Sequence, residues 1–156
     1  MNIKFDNVRL IYSDFLGIGQ FNKYKRNLFN FITTPEEAAM MEQSGIKIKW
    51  TKPSQRFPEP EPYVEVSMGY MFPDPATGTM VPSDRPPEVI LNNTVTGQPI
   101  IITQANLDVL AAAKLSNICI ELMQSKPKPI DATGTIRSTF YLRKMTADMV
   151  PFYSRA

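Results

Sequence analysis

Proline locks one of its own backbone angles and has no N–H to donate, so neither a helix interior nor a central strand runs through a proline cluster. This chain has two such clusters. Residues 53 to 62 read PSQRFPEPEP, four prolines in ten residues, and residues 73 to 87 carry Pro82, Pro86 and Pro87 together with Asp74 and Gly78. Both are expected as long extended loops. Segments of similar strand character flank each of them, which makes them loops within one domain spanning residues 1 to 156. The length suits one domain of ordinary size. Fourteen prolines against 7 glycines mean that the elements in between stop often.

Those elements are mostly strands. Residues 3 to 12 (IKFDNVRLIY) place Val8, Leu10 and Tyr12 on one face and Asn7, Arg9 and Ile11 on the other. After a turn at Gly17 to Gly19, residues 22 to 33 (NKYKRNLFNFIT) read as a second long strand, basic at its start and apolar at its end. Thr34-Pro35-Glu36-Glu37 is a helix start with a capping threonine, a proline at the first helical position and a glutamate placed to complete a capping box. Gly45 ends that helix, and Ile46 to Trp50 alternates as a strand. Residues 63 to 72 return to strand character with Gly69 as a bulge point, and a short strand covers Glu88 to Leu91. Thr103 is expected to cap a second helix whose Leu107, Leu110 and Ala111 share a face. Strands over residues 115 to 125 and 135 to 145 close the chain, the last with Ile136, Phe140 and Leu142 on one side and Thr135, Arg137, Thr139, Tyr141 and Arg143 on the other. Five or more strands with two short helices point to a small barrel: a mainly β, single-domain, five-stranded barrel of the oligonucleotide-binding (OB) fold type, with long proline-rich loops.

Composition excludes much chemistry. Without histidine, no imidazole serves as base or metal ligand, and the single cysteine allows neither an intrachain disulfide nor a thiolate cluster. Cys119, in the run Ile118-Cys119-Ile120, reads as a buried, inert thiol. Glu59 and Glu61 sit in a proline-rich loop, a poor support for acid–base work, and Gly17-x-Gly19 lacks the rest of any nucleotide fingerprint. No enzyme, cofactor or metal site is expected. No segment is apolar for long enough to span a membrane, and no signal-peptide core opens the chain. The net charge of +2 rules out binding a polyanion by bulk charge.

A polyanion site must therefore come from local arrangement. Lys23, Tyr24, Lys25 and Arg26 lie on one strand, and Arg137, Tyr141 and Arg143 share the outward face of another. Cations that track phosphates and rings that stack on bases are what single-stranded nucleic acid requires. Arg56 and Phe57, among prolines, are the candidate contacts at a groove mouth. Trp50 continues the apolar face of Ile46 and Ile48 and is assigned to the core, as are Tyr12 and Phe15. The same strand faces also read as ordinary solvated surface. Residues 1 to 50 hold 7 basic and 5 acidic side chains, residues 51 to 100 hold 3 and 6, and residues 101 to 156 hold 7 and 4. That division suits a basic groove with an acidic back.

The order NVRLIY (Asn7 to Tyr12), then Lys23-Tyr24, then a short capped helix, then GTIRSTFYLRKM resembles the small bacteriophage single-stranded DNA-binding proteins of the OB-fold type. The resemblance implies a non-catalytic protein that coats single-stranded DNA in replication or recombination, in the cytoplasm of an infected bacterial host, with phage replication proteins as further partners. Many such proteins end in an acidic tail; here the last residues are MVPFYSRA, so tail-mediated recruitment is not expected and the aromatic end suits a homodimer or cooperative array. RNA as the ligand stays open. So does a non-catalytic structural or assembly protein that binds protein partners through its proline-rich loops.

Overall fold

In a computed structural model of the chain, the described residues are 2–17, 27–55, 58–74, 76–126, 128, 129, 132, 134 and 136–151. In order they form β1 (Asn2–Val8), β2 (Leu10–Asp14), β3 (Leu28–Ile32), α1 (Pro35–Gln43), β4 (Lys49–Trp50), β5 (Pro62–Ser67), β6 (Met71–Pro73) and β7 (Met80–Pro82). There follow β8 (Glu88–Asn93), β9 (Pro99–Ile102), a 3-10 turn at Gln104–Asn106, α2 (Leu107–Ala112), β10 (Ala113–Gln124), β11 (Lys128–Pro129), β12 (Ile136–Arg137) and β13 (Phe140–Pro151).

The architecture is mainly β with two short α-helices. Nine strands, not the five expected, hydrogen-bond into one sheet along the path β1-β10-β13-β5-β3-β2, with β4 on β5 and the β8–β9 hairpin on β13. The hydrogen bonds do not close this sheet, although its end strands β1 and β2 are joined by Arg9 alone. The extra strands arise where bulges divide long strands and where short segments dock on the edges of others. Among the described residues no helix is long and apolar enough to cross a membrane, and no group of three His, Cys, Asp or Glu is placed to hold a metal.

The core lies on one face of the sheet. Phe29 and Phe31 of β3, Val64 and Val66 of β5, Ile118, Ile120 and Leu122 of β10, and Phe140, Leu142 and Met145 of β13 form one cluster with Leu107 and Leu110 of α2. The expected apolar face of residues 118 to 122 is this core face. Ala111, expected beside Leu107 and Leu110, is exposed, and Ile136 is 43% exposed because β12 belongs to a separate two-stranded hairpin with β11. Cys119 is half-buried rather than buried.

The first strand does not keep one alternation. Asn7 (φ 54°) and Tyr12 (φ 50°) adopt left-handed backbone, and the ladder shifts register between Phe5 and Val8 and again between Ile11 and Asp14. Each bulge reverses the faces that follow. Val8 and Leu10 pack against the core as expected. Ile11, opposite outward-facing Asn30, is buried outside the core cluster, and Tyr12, expected in the core, lies within the second shift and is exposed. Phe15 is buried as expected.

Of the two helix starts, that of α1 is realised, whereas Thr103, expected to cap the second helix, opens the 3-10 turn instead and α2 begins only at Leu107. The Thr34 hydroxyl accepts from the Glu37 N–H (3.1 Å), and the Thr34 N–H donates to the Glu37 carboxylate (3.1 Å). Beyond α1, the chain pairs only at Lys49–Trp50 of the expected strand 46 to 50, while Ile46 forms a parallel bridge with Ser138. Of the two proline clusters, the described residues of 53 to 61 are loop as expected, while the second contains paired strands. Pro62 heads β5, where a missing N–H costs least, and residues 71 to 82 fold back as the β6–β7 hairpin.

Gly45 (φ 95°) is the hinge that brings α1 onto the β12–β13 junction. Its carbonyl accepts from the Ser138 N–H (2.9 Å), and an added Cβ would stand 3.3 Å from that nitrogen. Gly45→Ala is expected to lower unfolding free energy by about 1–2 kcal/mol through left-handed strain. Urea denaturation with an unchanged slope checks this; undiminished stability would show that the α1 contact is not formed in solution.

Candidate functional site

Along residues 137 to 143, Ser138, Phe140 and Leu142 are buried, while Arg137, Thr139, Tyr141 and Arg143 are half-buried on the opposite, outward face. Three of the residues singled out in the sequence thus share one surface. A bulge extends it. Leu122 opposes Leu142 and Glu121 opposes Lys144, so Arg143 is the extra residue, and both Arg143 and the exposed Lys144 turn away from the core.

At the other end of this surface, Arg137 stands in register with Lys128 in the β11–β12 hairpin. The hairpin base is held by hydrogen bonds. The Ser138 hydroxyl donates to the Ser125 carbonyl (2.6 Å), the Thr139 N–H donates to the Ser125 hydroxyl (2.9 Å), and the Gln124 amide donates to the Ser44 carbonyl (3.1 Å).

The parallel pairing of β13 with β5 joins this surface to a second group of rings. Tyr141 is in register with Ser67, and Tyr63 lies on the same face of β5. Four residues of strand separate Tyr63 from Ser67, about 13 Å. Tyr63 meets Tyr12 of β2 edge-on, with ring centroids 5.3 Å apart at 67°. Since β3 runs between β2 and β5, the two rings bridge it over the outward face that carries Asn30. Asn30 is 5% exposed; its amide nitrogen donates to the Tyr12 carbonyl (3.3 Å), and its Oδ1 has no partner. Tyr12 itself is 58% exposed on left-handed backbone, a conformation that costs of order 1–3 kcal/mol in a non-glycine residue.

Charge on this face is mixed. Arg9 pairs with Glu61 (3.6 Å) and Lys49 with Glu65 (3.8 Å), all partly exposed. Exposed pairs of this kind contribute about 0–1 kcal/mol, so they set local charge more than stability. The acidic middle third of the chain contributes to this face as well. β5, from the acidic middle third of the chain, lies between β3 and β13 and brings Glu65 to the centre of the outward face.

The remaining candidates divide. Lys23, Tyr24, Lys25, Arg26, Arg56 and Phe57 lie outside the described residues. Trp50, assigned to the core, is 50% exposed. It stands opposite buried Pro62, on the face away from Lys49 and Tyr63, where the two-residue β4 runs past the end of the core. The sequence reading missed Tyr12, Tyr63 and Asn30. Strict alternation put Tyr12 in the core, and nothing in a linear pattern marks two rings that meet across a third strand.

The model of a family described as a putative phage ssDNA-binding domain matches residues 1–122. That span includes Tyr12, Asn30 and Tyr63 and stops before Arg137, Tyr141 and Arg143. No curated protein sequence matches the chain. Among solved structures the chain is similar to gp2.5, a single-stranded DNA binding protein encoded by bacteriophage T7, with 6% identity, 100% of this chain and 91% of that chain covered, and a TM-score of 0.45. It is also similar to the single-stranded DNA-binding protein from bacteriophage Enc34 in complex with ssDNA, with 11% identity, 94% and 85% covered, and a TM-score of 0.44.

The ring contact has a spectroscopic consequence. Burial raises the Tyr63 phenol above its ordinary 10.0, and the neighbouring Tyr12 phenol raises it further. A raised value means that Tyr63's contribution to stability is full below pH 10 and is lost as pH climbs through the folded-state value. Tyr12→Phe is expected to lower the Tyr63 ionisation without returning it to 10, because burial, the larger cause, persists. Phenolate absorbance during alkaline titration reads the shift; a Tyr63 titration identical in the variant would mean that the two rings are apart in solution.

Proposed function

Because this chain belongs to the phage ssDNA-binding domain family, we propose that it binds single-stranded DNA, with little regard to sequence and without catalysis, across the outward face of β13, β5 and β3. The observation that carries this reading is the shared surface of Arg137, Tyr141 and Arg143, continued along β5 to Tyr63 and Tyr12. Rings supply stacking that every base can use, worth about 1–3 kcal/mol per base, while arginines neutralise phosphates.

In the proposed arrangement the kink at Arg9 lets β1 and β2 act as one bent strand that closes the sheet into an OB-type barrel. The contiguity of the two end strands supports this. In such barrels the face of the second and third strands, with the loops beside it, receives the oligonucleotide. Here those strands correspond to β3 and β5. Lys23 to Arg26 fall in the connection before β3, and Arg56 and Phe57 in the connection before β5; they join the proposed site as phosphate and base contacts. A role in phage replication or recombination within the infected host's cytoplasm, together with replication proteins and with further copies of the chain, follows as part of the same proposal.

Fluorescence anisotropy with single-stranded and duplex DNA at several salt concentrations tests the reading. Tighter binding to single strands is expected. Arg137→Ala with Arg143→Ala should reduce the dependence of log affinity on log salt by about 1.4, two contacts at ~0.7 each. Tyr141→Ala should cost about 1–3 kcal/mol. Undiminished affinity in the triple variant would remove these residues from the interface.

A further inference from the structure

Asn30 Oδ1 is the one buried side-chain polar atom among the described residues that lacks a hydrogen-bond partner. Turning the amide over does not remedy this, since it would set Oδ1 against the Tyr12 carbonyl that the amide nitrogen now reaches. A buried amide oxygen without a partner is costly, and such an atom calls for an explanation. Its position supplies one. Asn30 lies on the outward face of β3, opposite Ile11 of β2 and Glu65 of β5, beneath the Tyr12–Tyr63 ring pair. Tyr12, one of the two rings above it, sits on left-handed backbone within a bulge and is more than half exposed.

Resting on the single-stranded DNA reading above, we propose that the Tyr12 ring is a movable cover, that a nucleobase enters between Tyr12 and Tyr63, and that Asn30 Oδ1 accepts a hydrogen bond from the pairing edge of that base. Tyr12 is more than half exposed, so the ring pair is open to solvent on that side. Adenine, cytosine and guanine present amine hydrogens on that edge, and thymine and guanine present a ring N–H. One acceptor therefore serves all four bases. This gives a polar contact compatible with sequence tolerance, in the mode where unpaired bases are stacked on rings and bonded along their pairing edges. The neighbouring charges fit: Arg9 and Lys49 flank this face and are paired with Glu61 and Glu65, which leaves the base-edge contact to a neutral amide.

The test alters donor and acceptor in turn. Wild-type protein and Asn30→Leu are each titrated with oligo(dT) and with an equal-length oligomer of N3-methylthymidine, which keeps the stacking surface and lacks the N–H. Wild type is expected to bind oligo(dT) about fivefold more tightly than the methylated strand, the scale of one net hydrogen bond. Asn30→Leu should bind the two strands equally. The wild-type comparison needs no variant, and N4,N4-dimethylcytosine against cytosine repeats it with an amine donor. Equal wild-type affinities for the methylated and unmethylated strands overturn the Asn30 contact and leave the DNA-binding reading intact. So does a preference that persists in Asn30→Leu. If wild type binds none of these strands, the interface reading falls and this inference falls with it.

Discussion

Two residue pairs hold the outward surface together. β13 runs parallel to β5 only at Phe140–Val66 and Tyr141–Ser67, yet this short ladder is where the half of the sheet built on β10 meets the half built on β3. On the inner side, Phe140 and Val66 are both fully packed. On the outer side, the same register sets Tyr141 beside Ser67 and fixes its spacing from Tyr63. Burying a side chain such as Phe140 stabilises by about 1.5–3 kcal/mol, so the core enforces a register that two pairs of backbone hydrogen bonds alone would not.

That core also tolerates strain at the surface. Asn7, Tyr12 and Asn117 each adopt left-handed backbone, and each lies at a shift in strand register. The left-handed conformation costs roughly 1–2 kcal/mol per residue, a cost that Phe29 and Phe31, both fully buried on β3, suffice to offset. The consequence reaches the outward face. The bulge in β2 lifts Tyr12 out of the core to meet Tyr63, and the bulge in β13 turns Arg143 and Lys144 outward together. The interleaving of Glu61 and Glu65 with Arg9 and Lys49 keeps the net charge of the face low.

Parts of this were readable from residue order. The capped start at Thr34, the glycine stop at Gly45, and the two-residue periodicity that put Arg137, Tyr141 and Arg143 on one face are local signals, and local signals survive folding when the core agrees with them. Tyr12 and Trp50 were misread for a common reason. Each belongs to an alternating pattern, but Tyr12 lies within a bulge and Trp50 past the end of the core.

The sequence alone determined the class of the protein and its chemistry. Prolines cut the chain into short strands, alternation named their apolar faces, and the absence of histidine with a single cysteine excluded imidazole chemistry and an intrachain disulfide. Only the tertiary structure decided which strands became neighbours. Pairing β5 with β13 and carrying Tyr12 across β3 to Tyr63 depend on contacts between residues far apart in the chain, and a one-residue bulge, invisible in local propensity, changes which side chains reach the surface.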